Sequence, residues 1–428
     1  MSRYAILITV AVVLGFSIPA VALVPFGPFP GLDFHNLDVF HHCFARDNPY
    51  LATGAACGDY LDRDMTYPPL LYWSFAWTRL APLSVSYLIW AVAILVGVLL
   101  TLVAWVPRGR HDGAVVIFVG LMMLGYPVLF AVERGNNDVL VLILWTIAAW
   151  LFGTGRVGLS GATAGTAVAL KLYPVFAAVV VAGGLIWWAW REAPARRRLL
   201  MFGAGGLASV MVASVVPLDQ NLLYIKDEFA QLTSVPGSLS PWSHTLDPIA
   251  PARVTWLLSL PLLATWVLAS ARRLPSDPAL VFAGGLAIST YFSSVSNDYN
   301  LITVYPLLTL LFVRAMARPW SPLTFGLLML GLIAIMGNRV LFAWSELALE
   351  LHIALQWLWL LLTGLAVAAG CLRDGEAATP PRTWVPLRGV NTLSSLVEPD
   401  EAEPNPGPVA RLPIRWRASS RTALEGLA

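Results

Sequence analysis

Long apolar stretches recur along residues 1–373, from 4–24 near the start to 353–372 near the end, and polar connections separate them. An apolar stretch of about 20 residues spans a bilayer as a helix, because its backbone must satisfy its hydrogen bonds internally in lipid. The pattern predicts an all-α polytopic membrane protein, a bundle of about 12 transmembrane helices with extracytoplasmic loops. Residues 374–428 contain no long apolar run, and we predict a disordered cytoplasmic tail there.

Basic residues concentrate in every second connection between the apolar stretches. The richer set of connections contains Arg3, Arg108, Arg110, Arg156, Arg191, Arg196, Arg197, Arg198, Arg272, Arg273, Arg314, Arg318 and Arg373. Because cytoplasmic loops are enriched in arginine and lysine, this set predicts an inner (plasma) membrane protein with both termini cytoplasmic. The long connections 25–82 and 218–251 then lie outside the cell.

Composition agrees with a membrane bundle. Of the 428 residues, 57% are hydrophobic and 12% are charged, and the mean hydropathy is +0.70. Soluble domains average about 25% charged residues, so this chain lacks the polar surface of a soluble enzyme.

Near the start of the first predicted outer loop, the segment 31–38 contains two carboxylates, Asp33 and Asp38, and His41 and His42 follow it. Either carboxylate can serve as a general base. A solvated loop without a catalytic role is the alternative interpretation. The adjacent histidines lack the spacing of a helical ligand pair, so we expect no metal site.

Further along the first outer loop, Tyr67-Pro68-Pro69-Leu70 opens an aromatic-rich run. Proline favours the first turn of a helix and aromatic residues favour the membrane interface, so an interfacial helix start explains this pattern. The functional alternative is a platform that lines a sugar or lipid headgroup, with Tyr67 in it.

A short polar segment, Glu133 to Asp138, separates two strongly apolar stretches. Gly135 suits a tight turn, and Asp138 suits the start of the next helix. The turn itself does not require Arg134. An arginine beside helix N-terminal amides at a membrane surface is suited to binding phosphate.

Two further polar segments interrupt the apolar pattern. Lys171 precedes Tyr173-Pro174 with no hydrophilic loop around it, and a lysine at that depth must reach the surface or find an anion. Asn297-Asp298-Tyr299-Asn300 forms a similar polar step between two later stretches. Both segments are candidates for lining a substrate site.

Six short motifs follow one another along the chain. They are Asp33-Phe34, Asn48-Pro49-Tyr50, Tyr67-Pro68-Pro69-Leu70, Arg134-Gly135-Asn136-Asn137-Asp138, Lys171-Leu172-Tyr173-Pro174 and Asp298-Tyr299. In this order they resemble the motifs of C-type polytopic glycosyltransferases. The narrower resemblance is to the polyprenol-phosphate-mannose-dependent mannosyltransferases that elongate phosphatidylinositol mannosides. It covers about residues 5–370, although the second outer loop has no motif that aligns.

The resemblance implies a GT-C-like fold over residues 1–373 and a hexosyltransferase activity (EC 2.4) at the extracytoplasmic face. The donor is a polyprenyl-phosphate sugar, mannose or a related hexose or pentose, and the acceptor is a lipid or a cell-envelope glycan. Neither a cofactor nor a nucleic acid is expected. Asp33 is the implied catalytic base, with Asp38 as the alternative, and Arg134 and Lys171 bind the donor phosphate. The residues implied to line the substrate are Tyr67, Asn136, Asn137, Asp138, Tyr173, Asn297, Asp298 and Tyr299.

A membrane transporter or flippase of an anionic or lipid-linked substrate is the competing hypothesis. Transporters place ionisable residues near the middle of the bilayer on interrupted helices in repeated halves. Lys171 is the residue that most favours this hypothesis. The absence of an internal sequence repeat and the placement of the polar motifs toward one face favour the transferase.

Overall fold

The structure is a computed structural model, and the residues that it describes are 2–23, 31–44, 67–107, 113–215, 218–231, 252–292, 298–317, 322–337 and 346–372. The predicted tail, 374–428, lies outside these residues. The side chains of Asn297, Asp298 and Tyr299 also lie outside the described part, as do those of His41 and His42.

Throughout the described ranges the chain is helical, with no strand, as the all-α prediction required. The first eight helices are α1 (Ser2–Leu23), α2 (Leu32–Phe44), α3 (Pro69–Ser74), α4 (Leu83–Trp105), α5 (Gly113–Met123), α6 (Tyr126–Arg134), α7 (Asp138–Gly153) and α8 (Val157–Leu170). The remaining eight are α9 (Pro174–Arg191), α10 (Ala193–Val215), α11 (Leu218–Gln231), α12 (Ala252–Arg273), α13 (Pro278–Ser289), α14 (Tyr305–Ala317), α15 (Pro322–Met336) and α16 (Glu346–Ala369). Short 3₁₀ helices cover Ala76–Leu80, Thr290–Phe292 and Asp298–Val304.

Among the described residues, α4, α9 and α10 are each long and apolar enough to cross a membrane. Helices α5 and α6 meet the same criterion together, with a bend of 43° between them. Seven shorter apolar helices, of 10–17 residues, accompany them. These apolar helices agree with a membrane protein, whereas the figure of about 12 spans stays a prediction.

The helices pack as neighbours around a core of buried aliphatic and aromatic side chains. Helix α8 contacts α7 and α10, and α12 contacts α9 and α16. Thr166 and Ser209 share a hydrogen bond of 2.7 Å across the α8–α10 contact. Small residues and interhelical hydrogen bonds of this kind hold helices together in lipid, where the hydrophobic effect gives no net attraction between them.

The hairpin of α13 and α14 has two chemically different ends. At one end, Asp277 caps α13 by accepting a hydrogen bond from the Leu280 N–H, and its carboxylate pairs with Arg314 in the last turn of α14. At the other end, the 3₁₀ helix Asp298–Val304 leads into α14 and carries Asn300. The hairpin therefore separates the Arg314 end from the Asn300 end by the length of its helices.

Part of the first long connection is helical. Leu32–Phe44 forms a helix there, and the side chains of Phe34 and Leu37 on it are buried. Phe34 packs edge-on against Phe75, with 6.0 Å between ring centroids. The apolar side chains at positions 34 and 37 share one helix face and anchor α2 to the bundle, which explains why this stretch departs from a solvated loop.

Candidate functional site

The centre of the site is the turn between α6 and α7. The Gly135 N–H donates to the Val132 carbonyl (3.0 Å), and the Asn136 N–H donates to the Ala131 carbonyl (2.8 Å). These two bonds form a Schellman motif, which ends a helix with a residue in the left-handed region. Gly135 is that residue, with φ of +68°. The motif satisfies the last carbonyls of α6 and turns the chain directly into α7.

Neighbouring segments hold the turn in place. The Tyr87 hydroxyl of α4 donates to the Val132 carbonyl (2.8 Å), and the indole Nε1–H of Trp90 donates to the Gly135 carbonyl (3.0 Å). The Gly31 N–H, just before α2, donates to the Glu133 carbonyl (2.6 Å). The turn is therefore fixed from α4 on one side and from the start of α2 on the other.

Asp33 and Arg134 form an ion pair between α2 and α6. The Arg134 Nη2 atom lies 2.9 Å from the Asp33 Oδ1 atom. The Asp33 side chain is 6% exposed and that of Arg134 is 27% exposed. Asp33 lies in the first turn of α2, where the positive end of the helix dipole also favours a carboxylate. The pair brings together two residues to which the sequence assigned base and phosphate-binding roles.

Asp138 is the hub of a second, fully buried cluster. Its Oδ1 atom forms an ion pair with Lys171 Nζ (2.7 Å) and accepts a hydrogen bond from the Tyr173 hydroxyl (3.0 Å). Its Oδ2 atom accepts a hydrogen bond from Asn300 Nδ2. The Asp138 backbone N–H donates to the Asn136 Oδ1 atom (2.7 Å). Burial, together with the neighbouring Asp138 charge, raises the pKa of Tyr173 well above its ordinary value, so the hydroxyl stays a donor. The cluster joins α7, the α8–α9 break and the Asp298–Val304 segment.

A chain of aromatic contacts links the two ion pairs. Lys171 Nζ lies 5.3 Å from the centroid of the Tyr67 ring, a cation–π distance, and the Tyr67 and Tyr72 rings are 5.9 Å apart. The Tyr72 hydroxyl donates to Asn36 Oδ1 (3.1 Å), and Asn36 lies one turn after Asp33 on α2. The backbone completes the circuit, through α2 between Asp33 and Asn36 and through the α6–α7 turn between Arg134 and Asp138. We call the set the contact ring: Asp33, Asn36, Tyr72, Tyr67, Lys171, Asp138 and Arg134.

The structure brings together most of the residues that the sequence suggested. Asp33, Arg134, Lys171, Asp138 and Tyr67 belong to the contact ring. The others among the described residues, Asn136, Asn137 and Tyr173, lie in the turn or bind Asp138. Asn297, Asp298 and Tyr299 lie outside the described side chains. All the assigned roles stay proposals.

Asp38 differs from Asp33 in its surroundings. It lies five positions later on α2, and it is half-buried. No ion pair or hydrogen bond joins its side chain to another described residue, whereas the Asp33 side chain contacts Arg134. The structure therefore gives Asp33, and not Asp38, a cationic neighbour, which separates the two candidates for the catalytic base.

Three contributors to the site, Asn36, Tyr72 and Asn300, had no role assigned from the sequence. Asn36 is three positions after Asp33, so the two residues share a face once α2 is known to be a helix. Asn300 is the last residue of the polar step 297–300, so its polar surroundings were visible in the sequence. The partners of Tyr72 and Asn300 come from segments 36 and 162 residues away, and no local pattern reports such a pairing.

An apolar helical bundle with a buried polar site at helix ends is the framework of a membrane enzyme, and comparison of the sequence gives the class. The family model described as glycosyltransferase family 87 matches residues 65–294, more than half of the chain. The chain is a membrane glycosyltransferase with donor and acceptor substrates, and it belongs to glycosyltransferase family 87. No curated protein and no solved structure is significantly similar to it.

The matched range includes the whole α6–α7 turn, Lys171 and Tyr173, whereas Asp33 and Asn300 lie outside it. The family decides between the two classes that the sequence left open. The protein is a glycosyltransferase, and no observation supports a transporter.

Proposed function

We propose that the protein transfers a sugar, mannose or a related hexose or pentose, from a polyprenyl-phosphate donor to a lipid or cell-envelope glycan acceptor. The reaction takes place at the extracytoplasmic face of the inner membrane and inverts the anomeric carbon. The observation that carries this proposal is the Asp33–Arg134 ion pair, which joins a carboxylate able to act as a base to a cation able to bind phosphate.

The bond changes need few protein groups. The acceptor hydroxyl oxygen attacks the anomeric carbon, its proton passes to the Asp33 carboxylate, and the carbon–oxygen bond to phosphate breaks with its electron pair leaving on the phosphate. Phosphate is already a good anionic leaving group, so the reaction needs cationic stabilisation and not a second carboxylic acid. One carboxylate and a single displacement give inversion, whereas retaining glycosidases use two carboxylates about 5–5.5 Å apart.

Arg134 suits the phosphate role better than Lys171 does in the free protein. Its guanidinium is partly exposed and has five N–H donors in a fork that matches phosphate oxygens. Lys171 is 10% exposed, and its ammonium group already contacts the Asp138 carboxylate and the Tyr67 ring. We propose that Arg134 makes the principal phosphate contact and that Lys171 adds positive charge from a fixed position.

The same ion pair suggests an order of events. In the free protein the Arg134 guanidinium occupies one oxygen of the Asp33 carboxylate. A donor phosphate competes for the guanidinium, and the carboxylate oxygen is released toward the acceptor hydroxyl. The base therefore becomes active only when donor is bound, which limits transfer to productive complexes.

The proposed sidedness follows from the two ends of the bundle. Arg272, Arg273 and Arg314 bind the carbonyls of residues 367–372 at the C-terminal end of α16. The α13–α14 hairpin separates this arginine-rich end from Asn300 and the site. If the arginine-rich end is cytoplasmic, as the charge bias indicates, the site faces outward.

The test is a transfer assay with purified protein and three classes of donor carrying the same sugar: a polyprenyl monophosphate, a polyprenyl diphosphate and a nucleotide. We expect transfer from the monophosphate and inversion at the anomeric carbon by NMR. The matched control is Asp33→Asn, which should bind donor without transferring it. Transfer from the nucleotide sugar alone, or retention of configuration, would refute the proposal.

A further inference from the structure

Asn137 is a buried amide whose side chain has no hydrogen-bond partner among the residues that the structure describes. The residue is 1% exposed, and neither its Nδ2 nor its Oδ1 atom makes a hydrogen bond to another described residue. It precedes the first residue of α7, where asparagine commonly caps a helix, yet its side chain forms no capping bond. The local structure therefore does not explain why this position carries an amide.

The neighbouring asparagine shows the contrast. Asn136 is also buried, but its Oδ1 atom accepts the Asp138 N–H and so performs the structural role in the turn. Its Nδ2 atom, like both polar atoms of Asn137, has no partner among the described residues. Burying an amide without hydrogen bonds lowers stability, and such exceptions in native proteins call for an explanation such as a ligand or an ordered water.

Asn137 lies close to the place where the sugar of a bound donor would be. It lies three residues after Arg134, so their Cα atoms are at most about 11 Å apart. It also immediately precedes Asp138, the hub of the buried cluster. A sugar whose phosphate binds Arg134 lies within reach of this turn.

The chemistry of the amide matches a sugar ring. A carboxamide presents one acceptor oxygen and two N–H donors in a plane. Each sugar hydroxyl both donates and accepts, so two adjacent hydroxyls satisfy both ends of the group. An aspartate or lysine offers only acceptors or only donors, and neither would distinguish hydroxyl pairs in this way.

We infer that Asn137 binds adjacent hydroxyl groups of the transferred sugar and thereby determines which sugar is accepted. This inference rests on the proposed function for the position of the donor phosphate. It adds a specificity role to an amide that makes no hydrogen bond within the described part of the fold.

The first experiment needs no substrate. Asn137→Leu replaces the amide with an apolar group of similar size, and we expect the melting temperature of the free protein in detergent to stay the same or rise by about 1–3 °C. The matched control is Ser270→Ala, which removes another buried polar group without a described partner, at the arginine-rich end of α12. A large fall in melting temperature for Asn137→Leu alone would show a structural amide, held by an ordered water, and would overturn the inference.

The second experiment measures coupling between Asn137 and individual hydroxyls. The probes are polyprenyl-phosphate mannose and its 2-, 3-, 4- and 6-deoxy analogues, compared by kcat/KM in the wild type, Asn137→Leu and Ser270→Ala. Each deoxy donor lacks one hydroxyl, and loss of its hydrogen bond leaves one buried polar atom of Asn137 unsatisfied. We therefore expect kcat/KM of the wild type to fall about 5- to 100-fold with the one or two donors that lack a bound hydroxyl. Asn137→Leu should transfer the full and deoxy sugars at similar low rates, and Ser270→Ala should discriminate as the wild type does.

The outcomes separate this inference from the proposed function. If the wild type uses only nucleotide sugars, the proposed donor is wrong, and the same comparison with deoxy nucleotide sugars still tests Asn137. If Asn137→Leu discriminates among deoxy donors as the wild type does, the inference fails although the donor is right.

Discussion

The Nη2 atom of Arg134 lies 2.9 Å from the Oδ1 atom of Asp33, although 101 residues separate them along the chain. The contact joins the first turn of α2 to the last turn of α6. It is supported by the hydrogen bond from the Gly31 N–H to the Glu133 carbonyl, so the two segments meet through backbone as well as side chains. Under the proposed function, this contact joins the proposed base to the proposed phosphate-binding cation, the two groups that an inverting transfer from a phosphate donor needs.

Replacing Asp33 by Asn should abolish transfer and leave donor binding intact. The amide keeps the size of the side chain but cannot accept a proton at neutral pH, and a general base contributes about 10²- to 10⁴-fold in rate. Because the substitution also frees Arg134 from its anionic partner, donor affinity should be equal to or greater than that of the wild type. The measurements are turnover and donor Kd on purified protein.

Asp38→Asn is the matched control for this prediction, since Asp38 lies on the same helix without a described ionic partner. It should retain most of the wild-type turnover. The opposite pattern, an active Asp33→Asn and an inactive Asp38→Asn, would move the base to Asp38.

Arg134→Lys should lower turnover although the positive charge is kept. Lysine is a point charge and cannot reproduce the planar, two-pronged contact of a guanidinium with phosphate. If the contact strengthens as phosphate leaves, kcat and kcat/KM should fall together. Arg79→Lys, an exposed change on the Ala76–Leu80 segment, serves as the control. Normal turnover per folded Arg134→Lys molecule, with a lower yield of protein, would indicate a purely structural arginine.

Lys171→Met should destabilise the protein, because it leaves the buried Asp138 carboxylate without its cation. Breaking one side of a buried ion pair costs about 3–5 kcal/mol. Combining Lys171→Met with Asp138→Asn removes both charges but keeps an acceptor oxygen for the buried donors, and it should recover much of the melting temperature. Turnover of this double variant then reports the phosphate role. A rate close to that of Asp138→Asn alone would mean that Lys171 serves only to neutralise Asp138.

Gly135→Ala should disrupt the site through its backbone and through a clash. Gly135 has φ of +68°, and a Cβ atom there would lie 2.6 Å from the Cβ atom of Phe34 on α2. Gly155→Ala is a closely matched control, because Gly155 also has positive φ (+82°) but open space around its Cβ position. We expect the control to lose about 1–2 kcal/mol, the cost of a left-handed residue, and Gly135→Ala to lose more. Equal melting temperatures for the two variants would show that α2 does not pack against this turn as described.

Local sequence patterns were enough to predict the helical class and much of the site. The apolar stretches predicted membrane helices, and Gly135 between two such stretches predicted the turn that the structure shows. The polar residues at 134–138 and at 171–173 stood out because they interrupt apolar surroundings, where a polar group is costly. Each of these signals depends only on residues close together in the chain.

Tertiary structure decided which of those residues meet. The sequence left Asp33 and Asp38 in competition, and only the docking of Phe34 against the α6–α7 turn places Asp33, not Asp38, beside Arg134. The sequence also left two interpretations of Lys171: its ammonium group reaches the membrane surface, or it pairs with an anion. The packing of α7 against the α8–α9 break places the Asp138 carboxylate beside it as that anion. Asn300 reaches Asp138 across 162 residues. Helix periodicity depends only on residues close together in the chain, whereas an ion pair between segments depends on how distant helices pack. For that reason the sequence pattern could not predict which residues pair with one another.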